Sequence, residues 1–269
     1  PGRTRRGYCY NILVSGLDDD NGGSDTNILV RFDVPNKRID LVSLPRDTLL
    51  HNEYRNNKLN FAYAKGGTEL LMEQIENLLG IPVDFYVTVN LKGFIALVDQ
   101  IDGVDFDIPI NMDYDDPYQD LHIHFTKGPR HLNGQEAMEV VRFRHNNDGT
   151  GYGTEDIGRI GTQQAFLKAV AKQLLQIGNV KNIPALVDIF YTYVKTDLTT
   201  GNLVWLGNEA LNIGTENIHF ATLPGDGSGY YNKQSVYVLD AQATCDLVNE
   251  ALNPYNEALT LEDMDILVP

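Results

Sequence analysis

Arg46, Arg142, Arg144 and Arg159 stand beside Pro, Gly and Asp residues at the ends of segments, where the chain turns. A guanidinium group is a planar fork of donors that meets phosphate oxygens in pairs, which a lysine ammonium does not. The 269 residues hold 21 Lys+Arg against 37 Asp+Glu, a net charge of -16, so arginines kept at turns predict a local and specific anion site. The anion that suits several such forks is a diphosphate. Asp156, Arg159 and Gln163 are spaced by three and four, on one face of the first turns of a predicted helix. Free N–H groups and the positive dipole end at a helix start favour phosphate oxygens, and Asp156 suits a cap or a metal.

Each of these residues also has a plainer reading. Asp156 alone is a cap and Gln163 a solvated side chain, while Arg142 and Arg144 flank Phe143 at a predicted helix end, where basic residues satisfy terminal carbonyls. Their combination favours the anion. The acidity of the chain excludes duplex nucleic acid as a partner, because that binding needs a broad basic surface. No P-loop or dinucleotide fingerprint occurs, and Gly227-Ser228-Gly229 lacks the first glycine of a nucleophile elbow, Asp226 standing in its place. His122 and His124 lie two apart on a predicted strand and face one side, but no third metal ligand is evident nearby, which favours solvated histidines. Cys9 and Cys245 have no metal or redox spacing; they are either small buried hydrophobes or a disulfide of an exported chain.

The elements that must position these residues alternate. Asn11 to Gly16 predicts a strand, and Thr26 to Val34 with Arg38 to Leu44 predicts a hairpin turning at Pro35-Asn36-Lys37. Asp18, Asp25 and Arg46 then fall at strand ends, on one rim of a sheet. Helices are expected at Thr68 to Leu79, Leu91 to Ile101, Asn133 to Phe143, from Thr154 or Asp156 onward, Ile183 to Lys195, Asn202 to Ile213 and Ala241 to Leu252. The long helix is expected to bury Ile157, Ile160, Leu167, Val170, Leu174 and Ile177. Strands are expected at Asp84 to Asn90, Gly103 to Ile108, Leu121 to Phe125, Ile218 to Leu223 and Ser235 to Leu239. The acidic run Asn111 to Asp120 and the polar run Asn146 to Gly151 predict loops, the latter unpacked and mobile, and Gly225 to Gly229 predicts a turn. Such alternation implies layered α/β architecture.

Between about Asn11 and Gln176 the motifs come in a recognisable order. They are Asn11-Ile12-Leu13-Val14-Ser15-Gly16-Leu17-Asp18, Ser24-Asp25-Thr26, Ser43-Leu44-Pro45-Arg46-Asp47-Thr48, Lys58-Leu59-Asn60-Phe61-Ala62-Tyr63-Ala64 with Gly66-Gly67, and Val98-Asp99-Gln100-Ile101-Asp102-Gly103-Val104. Then follow Leu132-Asn133-Gly134-Gln135-Glu136-Ala137, Val141-Arg142-Phe143-Arg144, Asp156-Ile157-Gly158-Arg159 and Gln163-Gln164. The ordered set resembles the LytR-CpsA-Psr family of extracytoplasmic cell-wall glycopolymer transferases. Two positions depart from it: Gly22-Gly23 precede Ser24 where the family often has a basic residue, and Thr162 stands where it often has an arginine.

The resemblance implies a three-layer α/β/α sandwich around a mixed central sheet, with an apolar cavity for a polyprenyl chain. It implies Mg as cofactor, held by Asp18 and Asp25, although Asp19 and Asp20 compete with Asp18 for that place. Arg46, Arg142, Arg144 and Arg159 are implied as catalytic groups around the diphosphate, with Lys58 and Gln163 binding substrate and Asp25 or Asp156 accepting a proton. The implied activity moves a glycopolymer-phosphate from a polyprenyl diphosphate carrier to a sugar hydroxyl of peptidoglycan. Hydrolysis of the same lipid diphosphates and a non-catalytic lipid- or wall-polymer-binding module are the alternatives. Residues 1–214 are expected to form the catalytic domain and 215–269 a strand-helix extension on it. The start Pro1-Gly2-Arg3-Thr4-Arg5-Arg6 reads as the stub of a membrane anchor, so the expected location is outside the cell membrane, facing the wall.

Overall fold

A computed structural model describes residues 2–17, 22–153, 155–176 and 183–269. They form two compact units, Pro1–Val89 with Lys195–Pro269, and Asn90–Val194. The first unit opens with β1 (Cys9–Leu17), β2 (Ser24–Asp33), β3 (Arg38–Leu44), α1 (Leu59–Leu79) and β4 (Phe85–Val89). The second runs through α2 (Leu91–Gln100), β5 (Val104–Ile108), β6 (Met112–Asp116), β7 (Leu121–Phe125), β8 (Gly128–Leu132), α3 (Gly134–Arg142), α4 (Glu155–Gln176) and α5 (Ile183–Tyr193). The chain then continues with β9 (Val194–Thr196), α6 (Thr200–Ile213), β10 (Ile218–Thr222), β11 (Gly225–Tyr231), β12 (Gln234–Leu239) and α7 (Ala241–Ala251).

The central sheet has six strands in the order β10-β3-β2-β1-β4-β9. β2 runs antiparallel to both β1 and β3, while β4 and β10 run parallel to their neighbours β1 and β3, which makes the sheet mixed. Side chains of a strand alternate between faces. Leu13, Leu29 and Val42 therefore join Leu71 and Ile75 of α1 and Val248 of α7 on one face. Ile12, Val14 and Val30 join Leu203 and Leu206 of α6 on the other. Helices on both faces give the three-layer α/β/α sandwich.

α1 and β11 differ from the sequence reading, each for a local reason. α1 begins at Leu59 rather than Thr68 and carries a break at Gly66 and Gly67; Gly67 has φ 66 and ψ -157, a backbone state that a side chain would forbid. The segment after Gly214 contributes β10 to the central sheet. The buried pair Arg31–Asp40 at 2.7 Å joins β2 to β3, and Arg31 Nη2 also donates to Glu250 O at 2.9 Å, which ties α7 to that sheet. Gly225–Tyr231 is a strand whose register shifts between Asp226 and Gly229, so the expected turn is a bulge in β11. Cys9 and Cys245 are both free and buried, and burial raises both thiols. The basic start is part of the fold: Arg3 pairs with Asp263 at 2.5 Å, Arg5 with Asp84 at 2.9 Å and Arg6 with Asp33 at 2.8 Å. Among the described residues no helix is long and apolar enough to cross a membrane.

In the second unit the acidic run expected as a loop forms β6, paired with β7 so that Asp113 faces His124 and Asp115 faces His122. Cross-strand imidazoles offset the repeated carboxylates that otherwise disfavour a strand. The polar run after Arg144 is fastened to β6 rather than unpacked: Asn147 N donates to Asp113 O at 2.9 Å and Asp113 N to Asn146 Oδ1 at 2.7 Å. α3 is capped by Asn133, whose side chain and that of Glu136 form a reciprocal capping box. Along α4, Ile160 and Phe166 are buried as its apolar face, whereas Ile157 and Leu174 are exposed.

His131, on β8 opposite Asp105, places Nδ1 2.7 Å from Asp105 Oδ1 and Nε2 2.8 Å from Asp102 O. Two acceptors ask both ring nitrogens to carry protons, and the Asp105 carboxylate, with the Asp102 carbonyl, raises the His131 pKa. Because the folded value is raised, this stabilisation is complete below the unfolded value of about 6.5 and is lost as pH rises through the folded value. An NMR titration should give His131 a midpoint above that of the Asp105→Asn variant. Equal midpoints would contradict the pairing.

Candidate functional site

In the first unit, register places charge on one rim of the sheet. Leu17 at the end of β1 lies opposite Ser24 at the start of β2, and Asn27 of β2 opposite Leu44 at the end of β3. Asp25 and Arg46 therefore emerge side by side, with Arg46 Nη1 2.5 Å from Asp25 Oδ1. The turn after β3 is fixed by Thr48, whose N–H and Oγ1 donate to Pro45 O at 3.0 and 2.6 Å. Leu59 N donates to Thr48 O and Asn60 N to Arg46 O, each at 3.0 Å, so the first turn of α1 is seated on the same loop. This orients Lys58, whose Nζ lies 3.2 Å from Asp47 Oδ1, while Arg46 Nε lies 3.9 Å from that oxygen. The rim thus carries alternating charges, Asp25, Arg46, Asp47 and Lys58, with the side chains of Asp25 and Arg46 14% and 20% exposed. Asp18, Asp19 and Asp20 lie outside the described residues, as does the side chain of Asp156.

The second unit orients its arginines through an aromatic contact. Arg142 and Arg144 flank Phe143, which is fully buried and meets Tyr152 edge-on with centroids 5.5 Å apart. Tyr152 rests on α4 at Gly158, where an added Cβ would lie 2.1 Å from the Tyr152 Cβ. Thr162 Oγ1, one turn on, donates to the Tyr152 hydroxyl at 2.8 Å, and burial raises the tyrosine pKa. Arg159, between them in sequence, is 5% exposed. Gln163 Nε2 donates to Val141 O at 3.3 Å, joining α4 to the last turn of α3 beside Arg142. Arg142 Nη2 in turn donates to Gln119 Oε1 at 2.7 Å, in the turn between β6 and β7. Such groups, fixed before any ligand arrives, suit stabilisation of concentrated negative charge.

The LytR_cpsA_psr family model matches residues 5–253. The chain belongs to the LytR_cpsA_psr family. The polyisoprenyl-teichoic acid–peptidoglycan teichoic acid transferase TagV of Bacillus subtilis is 32% identical over 248 residues, 87% of this chain and 61% of that protein. TagU of Bacillus cereus, of the same named activity, is 32% identical over 244 residues, 89% of this chain and 76% of that protein. The crystal structure of B. subtilis TagV superposes with a TM-score of 0.78 at 27% identity, covering 98% of this chain and 100% of that one. The chain thus spans less than two thirds of the full TagV sequence and the whole of its crystallised chain.

Two departures from the family pattern have a structural context here. Gly23 lies where an added Cβ would be 3.4 Å from Asn60 O, close to the start of α1. Thr162 supplies the hydroxyl that holds Tyr152. Sequence reasoning missed Tyr152, Asp47 and Gln119. Asp47 had a signal, its place between Arg46 and the helix start, whereas Tyr152 sits in a polar run whose pattern predicts only a loop.

Gly158→Ala should destabilise the protein by about 1–3 kcal/mol, the usual result of overpacking. Gly161, on the same helix with nothing within 4 Å of an added Cβ, is the control. Gly161→Ala should stabilise by up to about 1 kcal/mol through helix propensity. Urea unfolding distinguishes them, and a Gly158→Ala variant as stable as the Gly161→Ala one would contradict the Tyr152 contact.

Proposed function

We propose that this chain is a magnesium-dependent phosphotransferase that moves a glycopolymer-phosphate from a polyprenyl diphosphate carrier to a sugar hydroxyl of peptidoglycan. The observation that carries the reading is the Asp25–Arg46 pair at a sheet rim, in a chain that the family model matches over residues 5–253. The named activity of the two relatives, each 32% identical, supports the choice of polyisoprenyl-linked polymer and peptidoglycan as substrates. In this proposal the protein works outside the cell membrane, anchored to it and facing the wall, with an apolar cavity receiving the polyprenyl chain.

The reaction follows from the groups at hand. The sugar hydroxyl oxygen bonds to the phosphorus that carries the polymer, the bond from that phosphorus to the bridging oxygen breaks, and polyprenyl monophosphate leaves. The hydroxyl proton passes to a carboxylate, Asp25 or Asp156. Arg46, Arg142, Arg144 and Arg159 hold diphosphate oxygens, and Lys58 and Gln163 bind substrate. Phosphoryl transfer depends chiefly on positioning and charge stabilisation, so it needs no protein nucleophile.

Asp25 suits magnesium, which takes one or two carboxylates and completes its shell with phosphate oxygens and water. Its carboxylate is held at the rim with a little of its surface open, and Asp18 is the proposed second ligand. When bound, the ion neutralises charge on the diphosphate. Arg46 complements it, neutralising Asp25 before substrate arrives and offering its fork to phosphate afterwards.

Arg46→Ala should lower turnover by about 10²–10³ while the protein remains folded, and Arg46→Lys should recover only part of it, because the ammonium lacks the fork. Unchanged transfer in Arg46→Ala would remove this residue from the mechanism. Chelation should slow transfer and Asp25→Asn should reproduce the loss; a rate indifferent to chelator would contradict the role of magnesium.

A further inference from the structure

Outside the rim and the arginines, the β6–β7 hairpin presents a second group of ligating side chains. Asp115 of β6 and His122 and His124 of β7 bring one ligand atom each to within 4.8 Å of one another, and all three residues are exposed. Asp115 Oδ1 lies 2.6 Å from His122 Nδ1 and 3.1 Å from His124 Nε2. The antiparallel register sets this geometry, since Asp115 is directly opposite His122 and Asp113 opposite His124. The third ligand that the sequence lacks near the histidines thus comes from the facing strand.

We propose that Asp115 Oδ1, His122 Nδ1 and His124 Nε2 form a binding site for a divalent transition ion of the zinc class. Imidazole nitrogens favour zinc, copper and nickel, whereas magnesium and calcium prefer oxygen shells. Bonds of about 2.0–2.2 Å to a tetrahedral ion place ligand atoms roughly 3.3–3.6 Å apart, so the two short contacts need to open by only a few tenths of an ångström to about 1 Å. The far nitrogens are also provided for. His124 Nδ1 lies 2.8 Å from Asp113 Oδ1, and His122 Nε2 lies 3.6 Å from Asp120 Oδ1. A carboxylate behind a ligating imidazole fixes the ring and its tautomer and strengthens it as a donor. Asn147 steadies Asp115 in turn, accepting from its backbone N–H at 3.0 Å. Three protein ligands leave a fourth position for water, as in exchangeable zinc sites.

The site can be tested on the 269-residue chain after treatment with chelator. Titration with zinc chloride in excess magnesium, followed by calorimetry, should give one saturable equivalent, with zinc-induced NMR shifts at the His122 and His124 rings. The His122→Ala/His124→Ala double variant should bind at least about tenfold more weakly, with Asp115→Asn, which keeps the side-chain shape, also weakened. Thermal melts verify that the variants fold. Wild-type protein that takes up no zinc under magnesium, or a folded double variant that binds equally well, would overturn the proposal.

Discussion

Arg46 and Asp25 meet at 2.5 Å because two strands end at the same level of one sheet. With Asn27 opposite Leu44, the residue two places before the first and the residue two places after the second share a rim, and a slip of one residue would turn each to the other face. The register is fixed from both sides, since Leu13, Leu29 and Val42 bury against α1 and α7 while Ile12, Val14 and Val30 bury against α6. Burial of alternate residues on opposite faces thus determines where a carboxylate and a guanidinium face each other. The seat of α1 on the carbonyls of Arg46 and Thr48 makes the same loop position Lys58. An apolar constraint has fixed a polar arrangement.

The second unit reaches orientation by a different route. Phe143 anchors the segment bearing Arg142 and Arg144, and Tyr152 joins it to α4 through a contact so close that only glycine fits at position 158. Gln163 and Thr162, polar residues on a helix face, are engaged in holding neighbours, one at Val141 O and the other at the Tyr152 hydroxyl. The polar face of α4 is thus engaged in packing at Gln163.

Much of this was legible in the sequence where pattern and physics coincide. Pro35-Asn36-Lys37 marks the turn between β2 and β3, and the periodicity from Leu91 and from Ala241 marks α2 and α7, because propensity and burial agree there. The common rim of Asp25 and Arg46 followed from strand ends alone. What escaped depended on partners distant in sequence or on unusual backbone. β6 looked like a solvated acidic run until the histidines of β7 faced it, and α1 starts nine residues earlier than expected, running across the break at Gly66 and Gly67. Ile157 lies outward while Arg159 is buried, the reverse of what hydrophobicity alone predicts.

The central claim is that these charges serve transfer to a sugar acceptor rather than to water. It is tested most directly by incubating the protein with a polyprenyl diphosphate-linked glycopolymer and peptidoglycan under magnesium, and analysing both products by mass spectrometry. The account predicts polymer joined to the glycan strand through a phosphodiester, with an equal amount of polyprenyl monophosphate released. Free polymer phosphate bearing an oxygen from water, or bound lipid with no product, would contradict it.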